Sequence, residues 1–362
     1  MTLPRSAYVQ EGQEGVYHCF SRCVRRAFLC GLDALTGRDF SHRKAVLLER
    51  LRFLAGIFAI EVCAYAILAN HWHAVLRTRP DIVASWPDLE VATRWLTLFP
   101  PHRITKAASV APSEEEIQAL AARPERIAEL RRRLTSISWF MGRLNEFIAR
   151  RANKDDHVKG RFWEGRFKCQ VLLDEAAITS GMVYVDLNAI RAGVAASPEE
   201  SDFTSIQERI RAWQITIPAS AQVGIQSAAT GPTRPGDAAT SGRLRDPSFG
   251  SNWLCPISPE PSRRGILKMT ATEYFSLVDR SGRMMRLDKR GVIDPDLPPI
   301  LLRIGANADE WLETVSRFGS KFRLAAGLVP NLRALAGRLS RRWIQGASAA
   351  RAAFASSLPD SA

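Results

Sequence analysis

Residues 57–78 constrain the fold of this chain more than any other stretch. They read IFAIEVCAYAIL, then Ala69-Asn70, then HWHAVLRT, so two runs rich in β-branched and aromatic residues flank a pair that favours a tight turn. The pattern predicts a β-hairpin. Because side chains alternate between the faces of a strand, His71 and His73 share one face of its second strand and Trp72 lies on the other. The two histidines are either metal ligands or part of a half-buried edge.

The segments around the hairpin alternate between strand and helix patterns. Before it come a strand pattern, YHCFSRCV, and a helix pattern, SHRKAVLLERLRFLAG, which Ser41 can cap. After it come a helix pattern, ISWFMGRLNEFIARRAN, a strand pattern at the end of KDDHVKGRFWEGRFKCQVLL, and a helix pattern through DEAAITSGMVYVDLNAIRAG that ends at Gly193. This order predicts an α+β fold built on an antiparallel sheet.

Composition divides the chain into three parts. Residues 1–214 carry the strand and helix patterns, with a charged, proline-punctuated helical insertion at about 80–133. Residues 215–262 are rich in Ala, Thr, Ser, Gly and Pro and poor in large apolar residues, which predicts a disordered linker. Residues 263–355 contain a Thr270-x-x-Glu273 capping box and apolar residues at helical spacing, which predict a small all-α C-terminal domain.

The charge balance points to a polyanionic partner. The 362 residues include 50 Lys and Arg against 37 Asp and Glu, a formal net charge of +13. Nucleic acid is the commonest partner for such a surplus, and an acidic membrane surface is the alternative. No run of about 18 uncharged apolar residues is present, and the first residues lack the apolar core of a signal peptide. We therefore expect a cytoplasmic protein that associates with the nucleoid when bound to DNA.

The six cysteines favour neither a disulfide scaffold nor a zinc ribbon, because no C-x-x-C pair occurs. Three of them, Cys19, Cys23 and Cys30, cluster in sequence, which leaves a metal site open. Small buried thiols are the simpler interpretation.

A second group of candidate ligands lies in the helix pattern YVDLN. At helical spacing, Tyr184 and Asn188 are four residues apart and point the same way. Two imidazoles and one amide oxygen form an incomplete N/O coordination set that suits Mg²⁺ or Mn²⁺ and leaves places for phosphate oxygens. The alternatives are an ordinary buried tyrosine and an asparagine that only caps the helix.

A basic stretch follows between residues 143 and 168. It holds eight basic side chains against four acidic ones, interleaved with Phe162, Trp163 and Phe167. Cations neutralise phosphates and aromatic rings stack on unpaired bases, so this composition is typical of a groove for single-stranded nucleic acid. The alternative is that the aromatic residues are core and the charges a solvated face. The candidate DNA-binding residues are Arg143, Arg150, Arg151, Lys159, Arg161, Trp163, Arg166 and Lys168.

These motifs occur in an order that resembles a known family. HWH after the strand turn, then GRFWEGRF, then YVDLN-x-x-RAG resemble the single-tyrosine HUH transposases, and most of all the REP-associated tyrosine transposases. The resemblance spans about residues 10–212. One departure is visible, since Ala189 stands after Asn188 where the family commonly has proline. Loss of that proline loosens local geometry without removing a reactive group.

The resemblance implies a ferredoxin-like antiparallel sheet with helices on one face, as the HUH catalytic domain. It also implies that His71, His73 and Asn188 hold a divalent metal, Mg²⁺ or Mn²⁺, and that Tyr184 attacks single-stranded DNA. The product is a 5′-phosphotyrosine and a free 3′-hydroxyl, which makes the chain a DNA strand transferase. The expected DNA is single-stranded or a stem-loop, such as a repetitive extragenic palindrome. The protein is expected to be a monomer or a homodimer.

Two other functions are compatible with the sequence. The chain can be a catalytically silent DNA-binding protein derived from such a transposase, a possibility that the missing proline and the extra segments raise. It can also be a metal hydrolase that combines the H-x-H pair with Asp155 or Asp156, although no third ligand then has a defined spacing.

Overall fold

A computed structural model describes seven ranges of the chain. They are residues 4–24, 29–32, 37–101, 111–216, 253–260, 265–284 and 318–353. Most of the linker predicted at 215–262, and residues 285–317 of the predicted C-terminal domain, lie outside the described residues. Among the described helices, none is both long and apolar enough to cross a membrane.

The described residues form five strands and thirteen α-helices, each numbered in chain order. The strands are β1 (Gly15–Arg22), β2 (Ile60–Ile67), β3 (His71–Thr78), β4 (Lys168–Leu172) and β5 (Ala325–Ala326). The helices are α1 (His42–Ile57), α2 (Pro80–Ser85), α3 (Asp88–Leu98), α4 (Glu114–Ala121), α5 (Pro124–Leu134), α6 (Ile137–Asp155), α7 (Glu175–Asp186), α8 (Asn188–Arg191), α9 (Ser205–Thr216), α10 (Ala271–Met284), α11 (Phe318–Lys321), α12 (Val329–Arg338) and α13 (Ala347–Ala353). The helical insertion predicted at about 80–133 corresponds to α2 through α5.

The sheet has the strand order β2-β3-β1-β4-β5. The first four strands are antiparallel to their neighbours, and α1 and α6 connect β1 to β2 and β3 to β4. This is the strand order of a ferredoxin-like βαββαβ unit, so the predicted α+β class and its antiparallel core are confirmed. The predicted hairpin is also present, since Leu68 N–H donates to the His71 carbonyl (2.9 Å) across Ala69-Asn70.

The register of β3 is fixed by Trp72. This side chain is fully buried on one face, so a slip of one residue would expose the indole and turn every side chain of the strand over. His71 and His73 therefore face the opposite side. Ser41 precedes α1 as predicted, but its side chain makes no capping bond, and its N–H donates to Asp39 Oδ1 (2.8 Å) instead.

Helices lie on both faces of the sheet, rather than on one face as expected. Asn145 of α6 donates to Ser21 Oγ (2.9 Å) on one face, and the ring of Tyr184 in α7 contacts His18 on the other. The reason is visible in β1, where Tyr17, Cys19 and His18 are all buried, so both faces need cover.

The C-terminal segment is not a separate all-α domain, which corrects the prediction. Its β5 pairs in parallel with β4, so Ala325 and Ala326 extend the sheet. The segment predicted as linker also ends early, because Cys255 N–H donates to the Val62 carbonyl (2.8 Å) and Leu254 and Ile257 are buried. These apolar side chains interrupt an otherwise polar stretch and find cover against β2.

All six cysteines are buried and free, as the simpler interpretation predicted. Cys19 and Cys169 face each other across β1 and β4 with their sulfurs 3.8 Å apart. Burial raises the pKa of the Cys19 thiol, which keeps it protonated and unreactive.

Candidate metal and nucleophile site

The two histidines of HWH and the tyrosine of YVDLN meet on one face of the sheet. The ring centroids of His71 and His73 are 5.0 Å apart, and those of His73 and Tyr184 are 5.8 Å apart. The meeting follows from two local choices: β3 presents both histidines to one face, and α7 crosses that face with Tyr184 turned inward. Residues more than a hundred positions apart in sequence thus form one cluster.

His18 is a third member that sequence reasoning assigned to the sheet alone. Its Nε2 lies 2.9 Å from Nδ1 of His73, and its Nδ1 lies 3.1 Å from Oε1 of Gln170. Its ring centroid is 5.6 Å from that of Tyr184. The local pattern carries no signal for this role, because a single histidine in a strand has no characteristic spacing and its partners are distant in the chain.

Burial keeps the three imidazoles neutral. It lowers the pKa of His18 to about 4. Burial, followed by the charges of Arg22 and Arg191, lowers the pKa of His71 to about 4. For His73, burial and then its two histidine neighbours hold the pKa well below the usual value. A metal binds the neutral form of histidine, so the residues present this form near pH 7.

Both histidines of HWH use Nδ1 inside the protein. His71 Nδ1 lies 2.6 Å from Asn70 Oδ1, and His73 Nδ1 faces His18. Within the described ranges, neither Nε2 has a hydrogen-bond partner. Two neutral imidazoles with free Nε2 atoms and anchored Nδ1 atoms fit the usual chemistry of histidine ligands.

Asn188 lies beyond the end of the helix that carries Tyr184. α7 ends at Asp186, and Asn188 begins α8 after a break at Leu187. Tyr184 and Asn188 were expected on one helix, and the structure places them on two. The carboxylate of Asp186 accepts hydrogen bonds from residues of two other helices at this break. A local helix pattern carries no signal for such long-range contacts, so the break was not predicted. The amide nitrogen of Asn188 is buried without a hydrogen-bond partner among the described residues. An amide NH₂ group only donates, so this orphaned donor calls for an acceptor such as a phosphate oxygen and not for a cation.

The sharp end of α8 brings a cation to Tyr184. Gly193 has φ +67°, and the N–H of Val194 donates to the Ala189 carbonyl (2.9 Å), which is the glycine-ended turn predicted at this position. In the last turn, the Arg191 guanidinium lies 4.3 Å from the ring centre of Tyr184. Arg22 lies opposite His71 in the β1–β3 register, so two cations flank the cluster. Neither was predicted as a site residue.

Aromatic rings close the remaining sides. Phe20 stacks on His73 with ring centroids 5.2 Å apart, and Phe318 of α11 lies 5.6 Å from Tyr184. The ammonium of Lys168 lies 5.6 Å from the Phe20 ring, so this predicted DNA-binding residue borders the cluster. Lys159, Arg161 and Arg166 are exposed in the loop before β4.

The other predicted DNA-binding cations are carried by α6. Glu146 pairs with Arg143 (2.7 Å) and Arg150 (2.5 Å), and Arg151 lies 3.5 Å from Asp155. They line a cavity of about 360 Å³ that also includes Arg50, Lys154, Phe99 and Phe147. Because α6 packs on the sheet face opposite Tyr184, the structure divides the predicted set between a loop and a helix rather than forming one groove.

Trp163 does not present a stacking face. Its ring is buried, and its Nε1–H donates to the Asn145 carbonyl (2.8 Å). Phe162 and Phe167 are also buried, so the interpretation of these aromatic residues as core is correct. The indole finds its hydrogen-bond partner inside the protein, as buried tryptophans usually do.

The hydrolase alternative is not supported. Asp156 pairs with the buried Arg43 (2.6 Å), and Asp155 contacts Arg43 (3.5 Å) and His42 (3.3 Å). These carboxylates lie at the end of α6, away from the face that holds the histidines. Across the described part of the chain, no group of three or more His, Cys, Asp or Glu residues is arranged to hold a metal ion.

Comparison with known proteins gives one structural likeness. No family model matches the chain, and no curated protein matches it. Among solved structures, the chain is similar to one described as a REP-associated tyrosine transposase bound to a REP hairpin. The two are 12% identical, the match covers 67% of this chain and 100% of that chain, and the TM-score is 0.31. A likeness of this size does not identify a family, so function has to be inferred from the cluster itself.

Proposed function

We propose that this protein cleaves and rejoins single-stranded or hairpin DNA, with Tyr184 as the nucleophile. The observation that carries the proposal is the position of Tyr184, whose ring centroid lies 5.8 Å from that of His73 and whose face is covered by the Arg191 guanidinium. A phenol beside two potential metal ligands and a cation matches what attack on a phosphodiester requires.

His71, His73 and Asn188 are the proposed ligands of a divalent ion, Mg²⁺ or Mn²⁺. When bound, such an ion withdraws charge from phosphoryl oxygens and orients the scissile bond. The protein's own part is to keep both imidazoles neutral through burial and to hold their Nδ1 atoms in internal hydrogen bonds. Arg22 and Arg191 bind the phosphate from the protein side.

The proposed step conserves atoms and bond energy. The Tyr184 oxygen gives up its phenolic proton and forms a bond to phosphorus, and the bond from phosphorus to the 3′-oxygen breaks. The leaving oxygen takes up one proton to become a 3′-hydroxyl, so no net proton is gained or lost. A 5′-phosphotyrosine results. Because one phosphodiester replaces another, the 3′-hydroxyl of a second strand can attack the link and regenerate the phenol without ATP.

DNA contact is proposed for both basic groups. Lys159, Arg161, Arg166 and Lys168 lead towards the cluster and are suited to the strand that is cut. Arg143, Arg150 and Arg151, which share acidic partners on α6, are suited to a more distant part of a stem-loop such as a repetitive extragenic palindrome. Trp163 is excluded from this surface by its burial.

A silent DNA-binding protein is the second candidate. The fully buried Phe318 packs against Tyr184 and covers one side of the phenol, which is the observation in its favour.

A denaturing gel separates the two candidates. The full chain is incubated with Mn²⁺ and an end-labelled single-stranded hairpin, beside Tyr184→Phe, which removes one oxygen and should bind DNA normally. We expect a covalent adduct with the wild type and none with the variant. DNA binding without any wild-type adduct would favour the silent protein, and an equal adduct with Tyr184→Phe would exclude Tyr184 as the nucleophile.

A further inference from the structure

A chain of hydrogen bonds links His73 to a backbone carbonyl of the C-terminal segment. Gln170 Nε2 donates to the Phe322 carbonyl, Gln170 Oε1 lies 3.1 Å from His18 Nδ1, and His18 Nε2 lies 2.9 Å from His73 Nδ1. The residues involved are only 1–4% exposed. Water therefore does not compete for these bonds, and each proton in the chain has a defined position.

The direction of every hydrogen bond in this series follows from the Phe322 carbonyl at its end. A carbonyl oxygen can only accept, so Gln170 turns its NH₂ group to Phe322 and its oxygen to His18. That oxygen can only accept, so His18 carries its proton on Nδ1 and offers a lone pair at Nε2. His73 must then donate from Nδ1. A neutral imidazole has one proton, so Nε2 of His73 is left with its lone pair.

We infer that His18 and Gln170 are positioning residues that fix the tautomer and ring orientation of His73, and that the Phe322 carbonyl makes the C-terminal segment part of the metal site. The inference rests on the proposed function, in which His73 binds a divalent ion through Nε2. Partners of this kind behind a metal-binding histidine typically set its orientation and basicity.

The C-terminal segment is held firmly enough for this role. Val171 N–H donates to the Leu324 carbonyl (2.9 Å) and Leu173 N–H to the Ala326 carbonyl (3.0 Å), which aligns the segment with β4 next to Gln170. Asp174 accepts from Leu328 N–H (2.6 Å), directly after the paired residues. The Phe322 carbonyl is therefore fixed by backbone bonds on the strand that carries Gln170.

Packing alone does not account for this series of hydrogen bonds. Gln170 and His18 are paired across β4 and β1 on a buried face, where two apolar side chains would fill the space without any need for hydrogen bonds. A buried polar pair is costly unless every atom is satisfied, and here satisfaction requires the one arrangement that frees Nε2 of His73.

Metal titration of the DNA-free full chain tests the inference. Co²⁺ is the probe, because it binds imidazole more tightly than Mn²⁺ and reports its coordination by visible absorption. Gln170→Met, which keeps the shape and removes the hydrogen bonds, should weaken Co²⁺ binding by about tenfold to a hundredfold, as should His18→Phe. Gln207→Met is the matched control, since Gln207 is also buried and donates to a backbone carbonyl (Glu199, 2.9 Å) away from the site.

Nitrogen NMR of ¹⁵N-histidine protein gives a second measurement, made on the wild type and on His18→Phe. The wild type should show His73 protonated at Nδ1, and His18→Phe should show a mixture of tautomers. A wild-type His73 protonated at Nε2, no Co²⁺ binding by the wild type, or wild-type affinity in both folded variants would each overturn the inference. If Co²⁺ binding is weakened in both variants but the wild type forms no DNA adduct on the denaturing gel, the proposed function is contradicted and the positioning role is supported, because the titrations contain no DNA.

Discussion

At the scale of single residues, the proposed metal ligands differ in burial and charge from the proposed DNA-binding cations. His71 and His73 are neutral and partly or fully buried, whereas the cations suited to phosphate lie around them and in the exposed loop before β4. Under the proposed function, affinity for DNA comes mainly from neutralised phosphates and cleavage depends on the metal. Substitutions at the two sets should therefore have different consequences.

His71→Ala and His73→Ala should abolish cleavage and leave DNA affinity within a few-fold of wild type. The reason is that each removes one nitrogen ligand and no cation. His42→Ala is the control, because His42 is an exposed histidine that contacts Asp155 outside the cluster. Cleavage gels and fluorescence anisotropy on the same hairpin measure the two quantities. Full cleavage by both variants would show that His71 and His73 are not required as metal ligands.

Asn188→Ala should reduce cleavage less severely than either histidine variant. Solvent can replace one oxygen ligand, so excess Mn²⁺ should restore part of the rate. Initial cleavage rates at increasing Mn²⁺ concentration provide the measurement. A rate that is lost completely and does not respond to Mn²⁺ would assign Asn188 a different role.

At the scale of elements, a buried carboxylate ties α7 to its neighbours. Asp186 accepts from Ser205 Oγ and Ile206 N–H (3.1 Å) at the start of α9, and from the Tyr274 hydroxyl (2.6 Å) in α10. Burial raises the pKa of Asp186 to about 6, so the three donors compensate a costly position. This junction lies directly after Tyr184 and sets where the helix that carries this tyrosine ends.

Tyr274→Phe should lower the free energy of unfolding by about 1–3 kcal/mol, because it leaves Asp186 with one donor fewer in a buried site. Tyr184→Phe is the matched control, since no hydrogen bond of its hydroxyl is found among the described residues. Urea unfolding followed by circular dichroism compares the two. Equal stability of both variants would show that the Tyr274 bond does not hold the junction.

The two basic groups should differ in their salt dependence. Neutralising Lys159, Arg161, Arg166 and Lys168 to Gln should flatten the dependence of affinity on salt by up to about 0.7 in slope for each phosphate that the protein no longer neutralises. The same change at Arg143, Arg150 and Arg151 should flatten it less, because Glu146 and Asp155 already offset their charge. Titrations with a single-stranded hairpin at several salt concentrations decide. An unchanged slope in the loop variant would remove the loop from the DNA surface.

At the scale of the whole molecule, the candidate site depends on C-terminal residues that lie far in sequence from the HWH and YVDLN motifs. β5 pairs with β4, Cys255 bonds to β2, and Phe318 contacts Tyr184. Residues 1–214 therefore do not contain every part of the sheet or of the cluster. The fold and the site are completed together by the C-terminal segment.

A chain that ends at Gln214 should be much less stable than the full chain. It lacks Tyr274 and the buried Leu254, Ile257 and Phe318, and each large apolar side chain contributes about 1.5–3 kcal/mol when buried. A chain that ends at Ala353 keeps these residues and serves as the control. Thermal unfolding followed by circular dichroism should show a lower midpoint for the shorter chain. An unchanged midpoint would mean that residues 1–214 fold on their own.

The sequence predicted what is local and missed what is distant. Alternation in HWH placed His71 and His73 on one face, and the turn at Ala69-Asn70 located the hairpin. His18 was missed because its partners, Gln170 and His73, lie in other strands. The two-residue β5 carries no strand pattern at all, so its pairing with β4 is visible only once the sheet has formed.

Identification of the residue that becomes linked to DNA tests the central claim most directly. The full chain is incubated with Mn²⁺ and a single-stranded hairpin, then digested with nuclease and protease, and the nucleotide-bearing peptide is sequenced by mass spectrometry. The account predicts one modified peptide, with the nucleotide phosphate on the oxygen of Tyr184. A nucleotide attached to another residue, or cleaved DNA with no modified peptide, would contradict it.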